Sequence, residues 1–514
     1  MTVWTNYTVK VTNIRDVNGN LINPNPTLSN PIQVKSMEAE ASYILNCMLS
    51  DGGIRWDTVA GSPIHPYFGC FAALGLLEAY KRTGSTNYLS AVKRWLYWYS
   101  AHMCSDGTIV DHHESGGTSV ADFACSSGDS CSDSTDSYAA MFLYTVYNYY
   151  QVTNDNEFLN NIYTAVTQAI KGIELTYQSD GLAYAKPNFT IKYLMDNIEV
   201  WQGLDAGYKL CLLKNDLSKA SNANYKAKKC LSALETLYRG DNYGYYYYYK
   251  TGGSITNFSY EGLANMFAID ILLNPTNDSR ANLIWRTVKS NIFVNNNLPA
   301  TNKTGCDQYY WYILAAIRLK DNDMRDRLIA GFSHRWNMQK YTFNSGHNIR
   351  RMLYNDFTQP GRISFIIGKG TNQGEVILKW TAVGDDGFSG RAYGYLVKYS
   401  IEPIDTIEKF RTANFATGIE PIPRVSGSTE TMIIKGLTPG NSYYFAIVAY
   451  DESYNYSEIS TNILVRAGGT NTITAQLVDD FEVANEINEF GGANTYAYAG
   501  TGRIWAGRVS GNPG

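Results

Sequence analysis

The sequence predicts a multidomain chain that joins an all-α (α/α)6 barrel, a toroid of two helical layers, to an all-β sandwich. Residues 36–358 alternate helical patterns with polar loops, and the loops repeat an Asp-Gly turn. After Pro360 the hydrophobic period changes to two, which is typical of strands. These observations predict the fold class before any site is considered.

The helical patterns are of two kinds that take turns along the chain. Residues 87–103 and 222–240 carry charge on one face, whereas 67–80 and 137–150 are apolar nearly all round. An amphipathic helix lies on a surface, and a helix that is apolar on every side is buried. The alternation therefore predicts an outer and an inner layer of helices.

A short turn recurs between the helices. "SDG" begins at Ser50, Ser105 and Ser179, with a weaker "GDN" at Gly240, so that successive aspartates are 55, 74 and 61 residues apart. The repeating unit is a helical hairpin, and counting onward predicts about six of them. Six hairpins with repeated "DG" loops resemble the (α/α)6 six-hairpin glycosidase superfamily over residues 36 to about 350, which implies a toroid but no particular substrate.

The segment 361–467 resembles a fibronectin type III domain. "EVILKWTAV", "YGYLVKYS", "TMIIKGL" and "YYFAIVAYD" read as strands, and "LTPGNSY", Leu437 to Tyr443, resembles the tyrosine corner of that family. The resemblance implies that Trp380 is the core tryptophan. Such modules act as spacers in bacterial polysaccharide-degrading proteins, so we assign this one no chemistry.

Both flanking segments resemble parts of other modules. Residues 1–35 contain "WTNYTVKVTNIRDVNGNLINP", which resembles the last strands of a bacterial Ig-like module. Residues 468–514 contain "LVDDFEVANEINEFGG", which resembles the opening of a jelly-roll carbohydrate-binding module. We therefore expect a piece of a longer modular bacterial protein that is secreted or displayed at the cell surface, is monomeric, and has the flanking modules as neighbours.

The amino-acid composition limits the classes of molecule that the protein is expected to bind. The net charge is −4 with both signs interspersed, which gives no basis for binding nucleic acid or an anionic membrane, and no transmembrane run is present. The chain has 41 Tyr and 10 Trp, side chains that suit the flat apolar faces and hydroxyl edges of sugars, although core packing uses them too. A carbohydrate partner without a cofactor is the expectation.

Eight cysteines are present, and none forms a CxxC pair, so a zinc site of common spacing is not expected. Cys104, Cys125 and Cys131 lie in or beside one polar loop, where a Cys125–Cys131 bridge is one option. We expect the other cysteines to be mostly buried free thiols.

Carboxylates stand at the starts of the inner helices. In a toroid these N-termini gather around one funnel, and the sequence places Asp136, Asp196, Glu261 and Asp307 there. Helix capping explains one acid per helix, but not their convergence with aromatic residues. Glycosidic cleavage needs two carboxyl groups, one to donate a proton and one to activate water or attack the anomeric carbon.

We rank Asp136 first, Asp196 second and Glu261 third as catalytic acids. The first two begin successive inner helices. Several hydrolases of the six-hairpin superfamily, including the unsaturated glucuronyl hydrolases, likewise carry aspartates on neighbouring inner helices, although the motifs around them differ from "TDSYAA" and "MDNIEV". Asp133 is expected to raise the pKa of Asp136 by like-charge proximity. Residues predicted to bind substrate are Trp56, His65, Tyr67, Asp111, His113, Asp133, Tyr138, Glu199, Trp201, Tyr260, Asp307, Tyr310 and Trp311.

Two further stretches have competing interpretations. "DHHESGG", Asp111 to Gly117, contains two His and two acids, but adjacent loop histidines seldom converge on one ion, so no metal site is predicted. The Ser/Gly-rich insert from Asp111 to Ser134 is expected to form a flap over the cleft. "YGYYYYYK", Tyr243 to Lys250, either packs on the barrel or lines the cleft.

The leading hypothesis is a glycoside hydrolase that uses carboxylate acid–base catalysis. A polysaccharide lyase on the same toroid is the nearest alternative, and it is disfavoured because an acidic rim would repel a polyuronate. A non-catalytic glycan-binding module of an adhesin or scaffold is the third.

Overall fold

A computed structural model describes residues 36–125, 134–240, 244–249, 258–273, 278–293, 307–335 and 341–468, together with short strands in the flanking segments. The chain divides into two compact units, Met1–Asn355 and Asp356–Gly514. The first is largely helical and the second is built of strands. The helical toroid and the separate β-rich part that the sequence predicts are thereby confirmed.

Helices follow one another through the described part of the first unit. In chain order they are α1 (Met37–Cys47), α2 (Pro66–Thr83), α3 (Thr86–His102), α4 (Thr135–Thr153), α5 (Asn156–Thr176), α6 (Leu194–Leu213), α7 (Leu217–Glu235), α8 (π-helical Phe258–Gly262, α-helical Leu263–Phe267 and π-helical Ala268–Leu272), α9 (Ser279–Ile292), α10 (Asp307–Arg318), α11 (Asn322–Arg335) and α12 (Thr342–Leu353). The three pieces of α8 run on without a break, because the residues at the junctions keep helical backbone angles.

The even-numbered helices form a closed inner ring. Helix α2 packs on α4, α4 on α6, α6 on α8, α8 on α10, α10 on α12, and α12 packs back on α2. Helix α4 is buried from Thr135 to Tyr147 without interruption, whereas the outer helix α7 buries one face only. Apolar side chains on all sides suit a helix enclosed by neighbours, which is why the sequence separates the two layers.

The repeated Asp-Gly turns have the same structure each time. The aspartate Oδ1 accepts a hydrogen bond from the backbone N–H two residues ahead, in the pairs Asp51–Gly53, Asp106–Thr108 and Asp180–Leu182. The following glycine has a positive φ, and a Cβ there would lie 2.7, 1.8 and 2.7 Å from a carbonyl oxygen of the next outer helix, at Arg94, Gln168 and Lys229. These aspartates are structural, because each turn docks one hairpin on its neighbour.

Glycines also set the spacing of the inner ring. A Cβ on Gly203 of α6 would lie 2.4 Å from the Cα of Ala140 on α4, and one on Gly75 of α2 would lie 2.4 Å from the Cα of Gly346 on α12. Backbone atoms cannot yield as a flexible side chain can. The close approach of α4 and α6 brings the starts of these helices, and the acids that they carry, together.

Short strands complete the first unit and the flanking segments. They are β1 (Thr5–Tyr7), β2 (Lys10–Val11), β3 (Thr27–Leu28), β4 (Ile32–Val34), β5 (Pro63–Ile64), β6 (His112–Ser115), β7 (Thr118–Ala121), β8 (Tyr238–Arg239) and β9 (Tyr245–Tyr246) in the first unit, and β17 (Ile473–Thr474), β18 (Tyr496–Tyr498) and β19 (Arg503–Trp505) in the second. Strands β5, β6 and β7 form one antiparallel sheet. The first part of the predicted flap is therefore a hairpin, and residues 126–133 lie outside the description.

A disulfide ties this hairpin to the end of α3. Cys104 is bonded to Cys125, so the pairing of Cys125 with Cys131 suggested by the sequence is replaced by a partner 21 residues away. Cys131 and Cys306 lie outside the described residues. Cys47, Cys70, Cys211 and Cys230 are buried thiols, as predicted.

We expect loss of this disulfide to lower stability without disturbing the ring of inner helices. A bridge that closes a loop of this length restricts the unfolded chain, so replacing both cysteines by alanine should lower the free energy of unfolding by about 3 kcal/mol. Urea denaturation of the double variant, with and without reductant, measures it. Reduced wild type should show the same decrease in the free energy of unfolding. Adding reductant to the variant should cause no further decrease, and a further decrease would contradict the prediction.

The second unit contains two antiparallel four-stranded sheets that share one core. Its remaining elements are β10 (Ile366–Gly370), β11 (Val376–Thr381), β12 (Gly394–Ser400), α13 (Ile407–Thr412), β13 (Asn414–Phe415), β14 (Thr429–Ile434), β15 (Ser442–Tyr450) and β16 (Ile463–Arg466). One sheet has the order β14-β11-β10-β17 and the other β13-β12-β15-β16. Trp380 lies in the shared core, and the Tyr443 hydroxyl accepts a hydrogen bond from the Thr438 backbone N–H at 3.2 Å.

Candidate active site

A cavity of about 710 Å³ opens where the inner helices begin. All six inner helices or the loops before them contribute to its wall, which supports the expectation that their N-termini gather around a funnel. The lining residues are Tyr67, Phe68, Phe71, Ser134, Ser137, Tyr138, Ala185, Lys186, Asn188, Phe189, Tyr193, Met195, Asp196, Tyr248, Tyr260, Leu263, Phe267, Trp311 and His347.

Asp196 is the carboxylate on the cavity wall. It lies in the first turn of α6, where the helix dipole favours an ionised side chain, and it is partly exposed. Among the described lining residues it is the one acid. Of the rim acids expected within the described residues, Asp196 lines the cavity, Asp136 is buried and Glu261 is half-buried.

Asp136 is fully buried in the first turn of α4. The N-cap of α4 is Ser134, so capping does not account for Asp136. Its Oδ1 accepts hydrogen bonds from the Ser134 hydroxyl at 2.5 Å and the Ser137 backbone N–H at 2.8 Å, while Oδ2 is buried without a partner. Burial, followed by the negative charge of Asp196, raises the pKa of Asp136 well above its ordinary value.

Burial and the nearby acids therefore both favour the protonated form of Asp136. The sequence assigned the raised pKa to Asp133, which lies outside the described residues. The structure assigns it to burial and to acids on the neighbouring inner helix. A pair of carboxyl groups that hold different protonation states is the arrangement on which acid–base catalysis depends.

Glu199 is the second buried acid, one turn after Asp196 on α6. Its Oε1 accepts a hydrogen bond from the Tyr67 hydroxyl at 2.7 Å. Burial, followed by the charge of Asp196, raises the pKa of Glu199 to about 8. Glu199 was predicted to bind substrate directly, but it lies behind the wall, and Tyr67 stands between it and the cavity.

Aromatic rings make up much of the remaining wall. Tyr67 and Tyr138 stack with their ring centroids 5.8 Å apart and 12° between their planes. On another side Trp311 stacks on Phe267 at 3.8 Å. Aromatic faces of this kind pack against the apolar faces of sugar rings, and hydroxyl and amide groups in the same wall can bind sugar hydroxyls.

Trp56, His65 and Asp111 form a cluster that reaches the cavity through Tyr138. The His65 ring lies 4.6 Å from the Trp56 ring, and its Nδ1 lies 3.2 Å from the Asp111 carboxylate. The Tyr138 hydroxyl donates a hydrogen bond to that same carboxylate at 3.0 Å. None of the three predicted residues lines the cavity, so their contact with it is indirect.

Four predicted residues within the described part of the chain point elsewhere. Trp201 is buried in the core because it follows Asp196 by five residues, about 140° around the helix. Tyr310 is buried and stacks on His347, whereas its neighbour Trp311 lines the cavity. His113 pairs with Asp122 on the exposed side of β6, and Glu261 is half-buried beside the lining residue Tyr260.

Asp133 and the side chain of Asp307 lie outside the described residues. Of the remaining predictions, Tyr67, Tyr138, Tyr260, Asp196 and Trp311 line the cavity. The tyrosine-rich stretch from Tyr243 to Lys250 was predicted either to pack on the barrel or to line the cleft. Tyr246 is buried and Tyr248 lines the cavity, so each interpretation applies to one of these residues. Residues 111–125 of the predicted flap do not line it.

Several lining residues were not predicted. His347 lies on α12, whose first turns are "TFNSGHN", and Lys186, Asn188 and Phe189 lie in the loop that precedes α6. Burial lowers the pKa of His347 well below its ordinary value, so its ring is neutral. The polar residues of α12 could have indicated that this inner helix faces the cavity. The sequence analysis identified inner helices by their apolar character and therefore did not consider them.

Among the described residues, no group of three or more His, Cys, Asp or Glu side chains is placed to hold a metal ion. The acids and histidines of "DHHE" have other partners, since Glu114 accepts hydrogen bonds from the Gly61 and Gly117 N–H groups and His112 Nδ1 contacts the Val110 carbonyl. None of the helices described here is both long and apolar enough to cross a membrane.

Comparison with known proteins gives partial likenesses. No family model matches the chain. Calcium-activated chloride channel regulator 3A-1 of Mus musculus is 37% identical over 87 residues, 16% of this chain and 10% of that protein. The chain thus spans about a tenth of the length of the curated relatives that it matches.

Solved structures that resemble the chain include a wild-type glycosidase, with a TM-score of 0.44 and 11% identity over 62% of this chain and 95% of that one. An α-amylase from Clostridium perfringens has a TM-score of 0.40 and 12% identity over 62% and 97%. An inactive α-1,6-mannanase variant from Salegentibacter in complex with α-1,6-mannotriose has a TM-score of 0.39 and 12% identity over the same shares. Scores this low establish neither a shared fold nor an activity, so function is inferred from the site itself.

Proposed function

We propose that this protein is a glycoside hydrolase that cleaves a glycan bound in the cavity at the start of the inner helices. The observation that carries the proposal is the Asp136–Asp196 pair. One carboxyl group is buried with a raised pKa, and the other lies on an aromatic cavity wall. Environments that separate the protonation states of two acids are typical of acid–base sites.

The two aspartates have different roles in this proposal. Asp196 reaches the substrate and, in its ionised form, activates water or attacks the anomeric carbon. Asp136 is buried outside the wall, and its raised pKa favours the protonated form. Glu261 stays a reserve candidate, since its Oε2 is buried without a partner in the described residues.

The proposal also covers the class of the second unit and the location of the protein. We assign the β-sandwich to the fibronectin type III class, which its two sheets, core Trp380 and the Tyr443–Thr438 hydrogen bond support. We also place the protein outside the cell, as a monomeric part of a modular polypeptide. The Cys104–Cys125 bridge supports this location, because disulfides persist in oxidising compartments.

A polysaccharide lyase is a second candidate. The residues that line the cavity are more compatible with a lyase than the acidic rim predicted from the sequence. Asp196 is the one acid in the described wall, while Lys186, Asn188 and several tyrosines share that wall. A lyase uses a tyrosine or histidine as base and a cation or amide to neutralise a uronate. The repulsion expected from an acidic rim is therefore weaker than predicted.

A panel of neutral and uronate polysaccharides separates these candidates. We expect reducing ends to be released from a neutral glycan without growth of absorbance near 235 nm, because hydrolysis creates no double bond. Absorbance growth on a uronate polymer would identify a lyase. Binding without turnover on every polysaccharide would identify a glycan-binding module.

A further inference from the structure

Among the described residues, no carboxyl group with a raised pKa lines the cavity, where one could protonate the leaving group. Asp136 and Glu199, the carboxyl groups whose pKa is raised, are both buried and neither lines the cavity. Asp196 lines it but is ionised in the proposed mechanism. Tyr67 both lines the cavity and touches a buried acid, because its hydroxyl is 2.7 Å from Glu199 Oε1.

We propose that Tyr67 is the catalytic proton donor of this site and that Glu199 is the positioning residue that supplies it with a proton. This inference rests on the proposed hydrolase function and adds a residue pair to it. It changes the role of both residues, which the sequence predicted only to bind substrate.

The Tyr67 ring is held in place by its neighbours. It stacks parallel to Tyr138 at 5.8 Å, and it meets Phe71 edge-on at 5.0 Å and Phe68 at 5.1 Å. These contacts fix the ring and hold its hydroxyl oxygen beside Glu199 at the cavity wall. A donor fixed in this way meets the geometric requirement for general acid catalysis.

The direction of the Tyr67–Glu199 hydrogen bond depends on the protonation of Glu199. When Glu199 is ionised, Tyr67 donates to it and has no proton left for the substrate. When Glu199 is protonated, its carboxyl group can donate to the tyrosine oxygen, and the Tyr67 proton is free to point into the cavity. The relay is therefore active below about pH 8, the pKa of Glu199.

Tyr67 and Glu199 together supply the proton that cleavage of the glycosidic bond consumes. As the bond between the anomeric carbon and the leaving oxygen breaks, its electron pair stays on that oxygen, which takes the Tyr67 proton. Glu199 passes its own proton to the tyrosine oxygen and becomes ionised. Water adds to the anomeric carbon and gives a proton to Asp196. Asp196 then releases that proton to solvent, and Glu199 takes one up from solvent.

The charges around Glu199 keep it protonated at neutral pH. Asp196 faces it from its own helix, Asp136 from α4, and Tyr67 and Cys70 from α2. Burial raises the pKa of both Asp136 and Cys70 and so favours their neutral forms. A negative charge on Asp196 disfavours a second negative charge on Glu199.

The test compares leaving groups that need a proton with leaving groups that do not. The probes are the phenyl and 2,4-dinitrophenyl glycosides of the sugar that wild type releases from the polysaccharide panel. We expect Tyr67→Phe to slow the phenyl glycoside by about 100-fold or more and the dinitrophenyl glycoside by less than about threefold. Tyr138→Phe removes a hydroxyl from the same stacked pair and should slow both probes by the same factor.

The pH profile tests the role of Glu199. We expect the phenyl glycoside rate of wild type to fall above about pH 8 and the Glu199→Gln variant to lose that fall. Equal slowing of both probes by Tyr67→Phe, or an unchanged alkaline limb in Glu199→Gln, overturns the relay and leaves the hydrolase proposal standing. Lack of release from every polysaccharide by wild type overturns both.

Discussion

Replacing Asp196 by asparagine should lower the rate of glycan hydrolysis by about 10²–10⁴-fold while leaving glycan binding nearly unchanged. Asp196 is the carboxylate on the described cavity wall, and asparagine keeps its shape but can neither accept a proton nor attack the anomeric carbon. Removing its charge should also lower the pKa of Asp136 and Glu199, which that charge raises. Reducing-end release and titration calorimetry on the same preparations separate turnover from binding.

Asp155→Asn is a matched control for this variant. Asp155 is the N-cap of the outer helix α5, and its side chain accepts a hydrogen bond from the Phe158 N–H. Asparagine caps helices as well as aspartate does, so we expect neither stability nor turnover to change much. Equal loss of turnover in both variants, or full turnover in Asp196→Asn, would contradict the role given to Asp196.

The second large effect concerns stability and does not depend on the reaction. Glu199 has a pKa of about 8 in the folded protein, against an ordinary value of 4.5. Between these values the folded state binds more protons than the unfolded state, so the free energy of unfolding falls as the pH rises through this window. The stabilisation that Glu199 provides below pH 4.5 is lost by about pH 8, an effect on the order of 5 kcal/mol.

Glu199→Gln isolates this contribution, because glutamine has the same shape and does not titrate. Urea denaturation of the helical unit at a series of pH values should give a steeper decline for wild type than for the variant, and the gap should open between pH 4.5 and 8. Parallel curves would mean that Glu199 has an ordinary pKa in the folded protein, and the relay through Tyr67 would lose its support.

The sequence predicts the toroid well because one physical property separates its layers. Helices that are apolar all round alternate with helices charged on one face, and the Asp-Gly turns dock each hairpin in the same way. The location of the site follows from the same pattern, since Tyr67, Tyr138, Asp196 and Trp311 all lie near inner-helix N-termini and line the cavity.

The direction of individual side chains could not be predicted in the same way. A helix that is apolar on every side has no polar face to fix its rotation, so the sequence does not distinguish Trp311, which lines the cavity, from Tyr310, which is buried. The contact between Tyr67 and Glu199 joins residues 132 positions apart. Likewise, the partner of Cys125 depends on the path of a hairpin that composition does not reveal.

Hydrolysis of the polysaccharide in H₂¹⁸O tests the central claim most directly. The account predicts that mass spectrometry finds one ¹⁸O in each new reducing end, and that the label is absent when Asp196→Asn replaces wild type. Products that carry no label and have lost the elements of water would show elimination instead, and an unchanged polymer would show that the cavity binds glycans without cleaving them.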